Sequence, residues 1–262
     1  MDLTMLLLSG ALAGTLAGLL GIGGGIVIVP IVVLLFESQG LEEGLAIKMA
    51  LGTSLATIIF TAISSIYTHH RKQAVEWQIF KIMAPGILVG SLLGAWLADI
   101  IPGKILYITF IFFLFGVSGQ MAFSRVSSHR GLPGRLAISG ISTGFGVISA
   151  LMGVGGGSLN VPFLSYCGVP IKHAIATAAA IGLPIAISAI LGYIIGGLNE
   201  ENLPSGSLGY VNLPVFGGVV VASLIFAPIG AILAHKLPDL VLRRLFAVFL
   251  IILATKMSLK FL

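Results

Sequence analysis

The sequence predicts an all-α integral membrane protein made of two inverted-topology repeats, each a glycine-broken helical hairpin followed by three transmembrane helices. Three observations lead to this fold class: an apolar composition, ten apolar runs and a motif that occurs twice. Of the 262 residues, 57% are hydrophobic and 9% are charged, whereas soluble domains carry about 25% charged residues. The mean hydropathy is +1.12. This composition excludes a disordered chain, a nucleic-acid-binding protein and a soluble enzyme, and makes the lipid bilayer a partner.

Ten apolar runs divide the chain into two series of five. A spanning helix needs about 20 mainly apolar residues. The first series is Leu3–Leu20, Ile22–Phe36, Leu45–Tyr67, Ile79–Ala98 and Ile105–Phe123. The second series is Leu136–Met152, Leu159–Cys167, Ala174–Leu198, Val211–Ala234 and Leu245–Leu262. Because the second run of each series is short of a full span, we expect the first two runs to form a hairpin and the last three to cross the membrane.

A glycine-rich motif occurs at the start of the second run in both series. Residues 21–25 (Gly-Ile-Gly-Gly-Gly) align with residues 153–157 (Gly-Val-Gly-Gly-Gly), and Val-Pro follows each at the same distance, at Val29-Pro30 and Val161-Pro162. The same spacing found twice indicates an internal duplication, with a junction near residues 124–134.

The charged loops orient the two repeats. Cytoplasmic loops are enriched in Lys and Arg. Basic residues gather at Arg71 and Lys72, at Arg125, Arg130 and Arg135, at Lys172, and at Lys236, Arg243 and Arg244. Acidic residues without Lys or Arg mark the loops 37–43 and 200–201, which we therefore place outside. This assignment inverts the second repeat, residues 131–262, relative to the first, residues 1–130, in a multi-pass protein of the cytoplasmic membrane.

Inverted repeats that are broken by glycine and proline at matching positions point to a transporter site. A helix that restarts after a glycine turn presents free N–H groups and the positive end of its dipole, which attract anions. We therefore expect a small anionic substrate between the two turns, bound by Gly21, Gly23, Gly24, Gly25, Gly153, Gly155, Gly156 and Gly157. Tight helix packing at a hairpin is the alternative reading of these glycines.

Neither glycine turn reads as a nucleotide loop. The spacing Gly153-x-Gly155-x-x-Ser158 departs from Gly-x-Gly-x-x-Gly, and the chain has no Gly-Lys-[Ser/Thr]. We therefore expect no ATP-driven pumping by this chain and no ATPase partner.

Polar side chains near the turns are candidate ligands. Ser158 and Asn160 directly follow the second turn, whereas Ile26 and Ile28 stand at the matching positions of the first. Further candidates are Thr53, Ser54, Thr177 and Lys48. Hydroxyl groups also bond across membrane helices, and a lysine near a helix end can extend its amine to the interface, so both kinds of residue have a structural alternative.

The doubled Gly-x-Gly-Gly-Gly-x-x-x-Val-Pro pattern resembles the sulfite exporter TauE/SafE family of permeases, and the likeness spans nearly the whole chain. The segment 68–75, Thr-His-His-Arg-Lys-Gln-Ala-Val, is similar to that family's His-Tyr-Arg-x-Gly-x-Val loop. Two departures are Gln73-Ala74 in place of the usual glycine region, and the matching segment 196–199, which lacks the His-Arg pair. The resemblance implies transport of sulfur-containing anions such as sulfite, sulfonates or thiosulfate.

The expected function is secondary transport of a small anion, a sulfur oxyanion or organosulfonate such as sulfite, by alternating access. The alternatives are a passive anion channel and a membrane assembly subunit.

A membrane-embedded enzyme is not expected, because no Asp lies within a run and no His-Glu-x-x-His occurs. The histidines lack metal-ligand spacing and Cys167 has no partner, so no cofactor or metal is expected. Oligomer formation stays open, although we expect the glycine stripes 10/14/18 and 86/90/94 to pack within one protomer.

Overall fold

The computed structural model describes residues 10, 11, 15, 24–123, 131–236 and 239–259. This part of the chain is mostly helical, with one short strand pair. The helices are α1 (Gly25–Ser38), α2 (Glu43–Arg71), α3 (Trp77–Ile100), α4 (Gly103–Phe123), α5 (Arg135–Leu151), α6 (Gly157–Tyr166), α7 (Ile171–Gly197), α8 (Leu213–Lys236) and α9 (Asp239–Ser258). Among the described residues, α2, α3, α4 and α7 are long and apolar enough to cross a membrane, as expected for an all-α multi-pass membrane protein.

The helices follow the apolar runs. Each run after the first contains one helix, and the first run, Leu3–Leu20, lies almost wholly outside the described residues. One boundary was wrong: Val211 and Asn212 form a strand that pairs antiparallel with Ser207–Leu208, and α8 begins only at Leu213. Asn212 ends this strand pair because its side-chain oxygen accepts the Val215 N–H at 3.0 Å, which caps α8.

Two helices are too short to span the membrane, and both begin at a glycine turn. The 14 residues of α1 and the 10 residues of α6 reach about 21 and 15 Å at 1.5 Å per residue, against about 30 Å of hydrocarbon. Gly24 precedes α1 with a φ of 76°, a left-handed conformation that favours glycine. Both short helices therefore start inside the protein.

Helices α2 and α7 occupy the centre of the packing. They contact each other, α1 and α4 pack on α2, and α3 and α6 pack on α7. Outside this centre, α3 packs along α5, and α4 packs along α9. The corresponding third-run helices of the two halves thus lie side by side and position the glycine turns.

The glycine stripe of α3 forms the tightest helix contact. A Cβ atom added at Gly86 would lie 2.6 Å from the carbonyl oxygen of Ser139, and one at Gly94 would lie 2.5 Å from that of Val147, both on α5. At Gly90 the added atom would collide with the Thr143 carbonyl. The expectation that this stripe packs within the protomer is confirmed. Gly10, of the other stripe, meets Ala222 of α8, while Gly14 and Gly18 lie outside the described residues.

We predict that Gly90→Ala destabilises the protein, because its methyl group has no space between α3 and α5. Overpacking of this kind costs about 1–3 kcal/mol. The matched control is Gly140→Ala on α5, where an added Cβ has no neighbour within 4 Å. Thermal unfolding in detergent should show a melting temperature several degrees lower for the Gly90 variant and unchanged for the control. Equal melting temperatures for the two variants would contradict the close contact.

Candidate functional site

The two glycine turns meet at the centre of the structure. A Cβ added at Gly25 would lie 2.8 Å from the carbonyl oxygen of Gly153 and 2.9 Å from Cα of Val154. Gly153 has a φ of 61°, and a Cβ added to it would lie 2.9 Å from Cα of Leu51 and 3.0 Å from a side-chain carbon of Val29. Gly24, Gly25 and Gly153 are buried. The remaining first-turn candidates, Gly21 and Gly23, lie outside the described residues.

Helices α2 and α7 enclose the second turn from two sides. On α2, the Ser54 hydroxyl donates to the Gly153 carbonyl at 2.9 Å. On α7, the carbonyl of Ala178 would collide with a side chain at Gly156. Gly155 has more room, since its added Cβ would meet only Ile58 side-chain atoms, at 3.5 Å and beyond. The sequence-predicted residues Ser54, Gly153, Gly155, Gly156 and Gly157 are therefore brought together here.

Two helix starts lie at this junction without a charge to neutralise them. Neither α1 nor α6 has an acidic residue in its first turn, and no side chain caps either start. The first N–H groups of a helix have no acceptor within that helix, and the dipole adds a partial positive charge. The contact between Gly25 and Gly153 thus gathers two positive helix ends in one buried region, which suits an anion.

Ser158 and Asn160 add polar atoms to the start of α6. Their exposed fractions are 6% and 0%. The amide nitrogen of Asn160 donates to the Gly156 carbonyl at 2.8 Å, but Ser158 Oγ and Asn160 Oδ1 have no partner within the described part of the chain. Buried polar atoms are rarely left unpaired. These two atoms are therefore the ones best placed to contact a ligand.

The two predicted threonines each accept a hydrogen bond from the backbone of the other half. The backbone N–H of Asn212 donates to Thr53 Oγ1 at 3.1 Å, and the backbone N–H of Glu76 donates to Thr177 Oγ1 at 2.9 Å. Glu76 and Asn212 directly precede α3 and α8, the fourth-run helices of the two halves. Each threonine oxygen thus accepts a hydrogen bond from the residue before a helix of the other half.

Lys48 lies at the end of the molecule that carries the 198–210 loop. Its ammonium donates to the backbone carbonyl of Asp99 at 2.7 Å, near the end of α3, and lies 5.5 Å from the ring centroid of Tyr210. Tyr210 donates to Asp99 Oδ1 at 3.2 Å. Burial, and then the Asp99 carboxylate, raise the pKa of Tyr210, so it stays a donor at ordinary pH. Lys48 therefore stabilises the carboxyl end of α3.

A cavity of about 500 Å³ lies beside Lys48. Residues from both halves line it: Gly40, Leu41, Glu42, Gly44, Leu45, Lys48, Gly103, Glu200 and Asn202. Its carboxylates, Glu42 and Glu200, outnumber its one cationic side chain. This cavity is consequently a poorer place for an anion than the helix starts at the glycine turns.

At the opposite end, His173 pairs with Glu76. The His173 Nδ1 and Glu76 Oε1 atoms are 2.7 Å apart, and both side chains are partly exposed. The pair joins the start of α7 to the start of α3, next to the Thr177 bond. Sequence reasoning missed Glu76; the available signal was an acidic residue four positions after the basic segment His69–Lys72.

Comparisons with known proteins agree with this membrane architecture. A family model described as sulfite exporter TauE/SafE matches residues 6–257. A Haemophilus influenzae protein named "Probable membrane transporter protein" is 38% identical over 97% of both chains. Proteins with the same description from Methanocaldococcus jannaschii (30% identical; 81% of this chain and 79% of that one) and Bacillus subtilis (27%; 88% and 90%) are also similar. No solved structure matches the chain.

We predict that Gly155→Ala weakens anion binding at least tenfold without lowering the melting temperature. Its methyl group has room in the fold but would lie directly before the free N–H groups of α6. The comparison variant is Gly156→Ala, which should lower the melting temperature because its methyl group meets Ala178. Binding is measured by ligand-induced thermal stabilisation. Unchanged binding in a folded Gly155 variant would leave helix packing as the only role of these glycines.

We predict that Lys48→Met lowers stability by about 1 kcal/mol, because the Asp99 carbonyl loses a charged donor that is only partly buried. Anion binding should stay unchanged. Lys81→Met, at an exposed position of α3, serves as the control for loss of one positive charge. The opposite pattern, weaker anion binding at an unchanged melting temperature, would place the Lys48 amine in the substrate path.

Proposed function

Because the chain belongs to the sulfite exporter TauE/SafE family, it is a membrane transporter, and we propose that it is a secondary transporter of a small sulfur oxyanion or organosulfonate. The observation that carries this proposal is the contact of Gly25 with Gly153 and Val154. Through this contact two uncapped helix starts share one buried region. A transporter for an anion needs such a region, since it offers positive potential without the cost of burying a charged side chain.

The chemistry of the site suits a protonatable oxyanion. The N–H groups that begin α6 and the hydroxyl of Ser158 donate to acceptor oxygens of the substrate. Asn160 Oδ1 accepts, because its amide nitrogen is already bound to Gly156. Hydrogensulfite presents both acceptor oxygens and a hydroxyl group, so it matches this combination of donors and one acceptor. An organosulfonate matches the donors, with a water molecule bridging to Asn160.

Alternating access is supported by contacts between the two halves at both ends of α2 and α7. At one end, Asn212 bonds to Thr53, and at the other, Glu76 bonds to Thr177 and His173. In the proposed cycle these contacts are made and broken in turn around a site that stays at the glycine turns. The reciprocal arrangement is what an inverted repeat would produce.

The membrane potential supplies a driving force in the export direction. An inside-negative potential favours outward movement of an anion by about 2.3 kcal/mol per charge per 100 mV. The carriage of a proton by hydrogensulfite is a second possible source of coupling, because the proton would travel with the substrate itself. We therefore propose export across the cytoplasmic membrane.

We predict that sulfite raises the melting temperature of the purified protein selectively. The panel also contains sulfate, thiosulfate, taurine, sulfoacetate, phosphate and chloride. Binding to the folded state alone adds about 2.7 kcal/mol at a hundredfold excess over Kd. In Ser158→Ala, loss of one hydrogen bond to an anion should weaken binding about 10- to 100-fold.

The matched control is Ser142→Ala on α5, a buried serine whose hydroxyl already donates to the Ile138 carbonyl at 2.6 Å. Its ligand response should equal that of the wild type. If no anion stabilises folded protein, or if phosphate and chloride act as well as sulfur anions, the proposed substrate class is wrong.

A further inference from the structure

We infer that the substrate path runs from the glycine turns along one face of α6, lined by Ser158 and Ser165, and that α1 lines no equivalent path. The inference rests on the proposed function, because it assigns the route by which the substrate leaves that site. The route ends at Tyr166, the last residue of α6, and Lys172 follows as the second residue of α7. Lys172 marks this end as cytoplasmic by the loop-charge rule.

The two serines share one face of α6. They are seven residues apart, which is close to two full turns and about 10 Å along the axis. Each side chain is 6% exposed. Neither hydroxyl has a hydrogen-bond partner within the residues that the structure describes. Two buried, unpaired hydroxyls thus follow each other from the glycine turn towards the end of the helix.

Three other helical hydroxyls pair with the backbone of their own helix, whereas Ser149 and Ser223 are, like the two serines of α6, buried without a partner among the described residues. Ser91 donates to the carbonyl four residues earlier at 2.7 Å, Ser142 does so at 2.6 Å, and Thr143 at 3.0 Å. Ser165 could close onto Val161 in the same way and does not. An unpaired buried hydroxyl destabilises the folded protein, and a path lined by water or by the oxygens of an anion offsets this cost.

Proline removes one backbone hydrogen bond from each short helix, at Pro30 in α1 and at Pro162 in α6. Pro162 has no N–H, so the carbonyl of Ser158 lacks its donor within α6. The opposite side of the helix is only partly buried. The ring of Phe163 packs on that of Phe145 in α5, with centroids 5.4 Å apart. The face with the unpaired groups is therefore held in one orientation relative to α5.

The corresponding helix of the first half has no polar face. In the alignment of the two glycine motifs, Ile26 stands at the position of Ser158, and Val33 at that of Ser165. Ile26 is 3% exposed and Val33 is 0% exposed, so both are packed core residues. Although α1 and α6 are repeats of one another, only α6 has the chemistry to line a hydrated route.

Cysteine labelling tests this route. Cys167 is the single cysteine of the chain, so Cys167→Ala gives a cysteine-free background. Ser158→Cys and Ser165→Cys are introduced singly, with Ile26→Cys and Val33→Cys as controls at the matching positions of α1. The probe is the anion 2-sulfonatoethyl methanethiosulfonate. The cysteine thiolate attacks its sulfenyl sulfur, a mixed disulfide forms and methanesulfinate leaves.

We expect Ser165→Cys to react at least ten times faster than Val33→Cys, and Ser158→Cys at least ten times faster than Ile26→Cys. Each variant must retain its melting temperature, and each must react fully after denaturation. A Ser165 variant that reacts no faster than the Val33 variant overturns the inference, as does equal, fast labelling of both helices.

The labelling experiment and the binding experiment test separate claims. Slow labelling of Ser165→Cys together with selective stabilisation by sulfite would reject the path and leave the proposed function standing. Fast labelling of both serine positions, with no stabilisation by any anion, would support a hydrated route along α6 and reject the anion as its cargo.

Discussion

The fold depends on a backbone contact that only glycine permits. Non-helical backbone at membrane depth must be buried in protein or line a polar space, and this chain contains such backbone before α1 and before α6. The structure meets the requirement by pressing the two turns together, with Gly25 against Gly153. The central helices then complete the enclosure, Ser54 from α2 by a hydrogen bond and Ala178 from α7 by direct backbone contact.

Similarity and difference between the two halves serve separate purposes. The similar parts hold the molecule together: in each half a threonine of the central helix binds the residue that begins a helix of the other half. The different parts carry chemistry. Ser158, Asn160 and Ser165 of α6 have no polar counterpart at the matching positions of α1. Lys48 of α2 has no charged counterpart on α7. Two halves that pack alike can therefore enclose a proposed site that is itself asymmetric.

The sequence predicts the features that depend on a local pattern of residues. It does not predict which distant residues interact. Apolar runs locate the helices, and the doubled glycine motif locates the two breaks, because length and glycine content act within a few residues. The bond from Lys48 to Asp99 spans 51 positions, and the pair of His173 with Glu76 spans 97. Each needs a packing arrangement that charge patterns alone do not specify, so the partners of Thr53, Thr177 and Lys48 could not be predicted from the sequence.

The contact between α3 and α5 also limits how the helices can move relative to one another. These helices come from opposite halves of the chain, yet Gly90 lies against the Thr143 backbone with no room for a methyl group. Two helices whose backbones are in such contact move as one rigid unit, so a displacement of α3 also displaces α5. A rigid body built on this contact therefore combines helices from both halves of the chain. A hinge in this protein has to be sought between sets of helices that each mix the two halves.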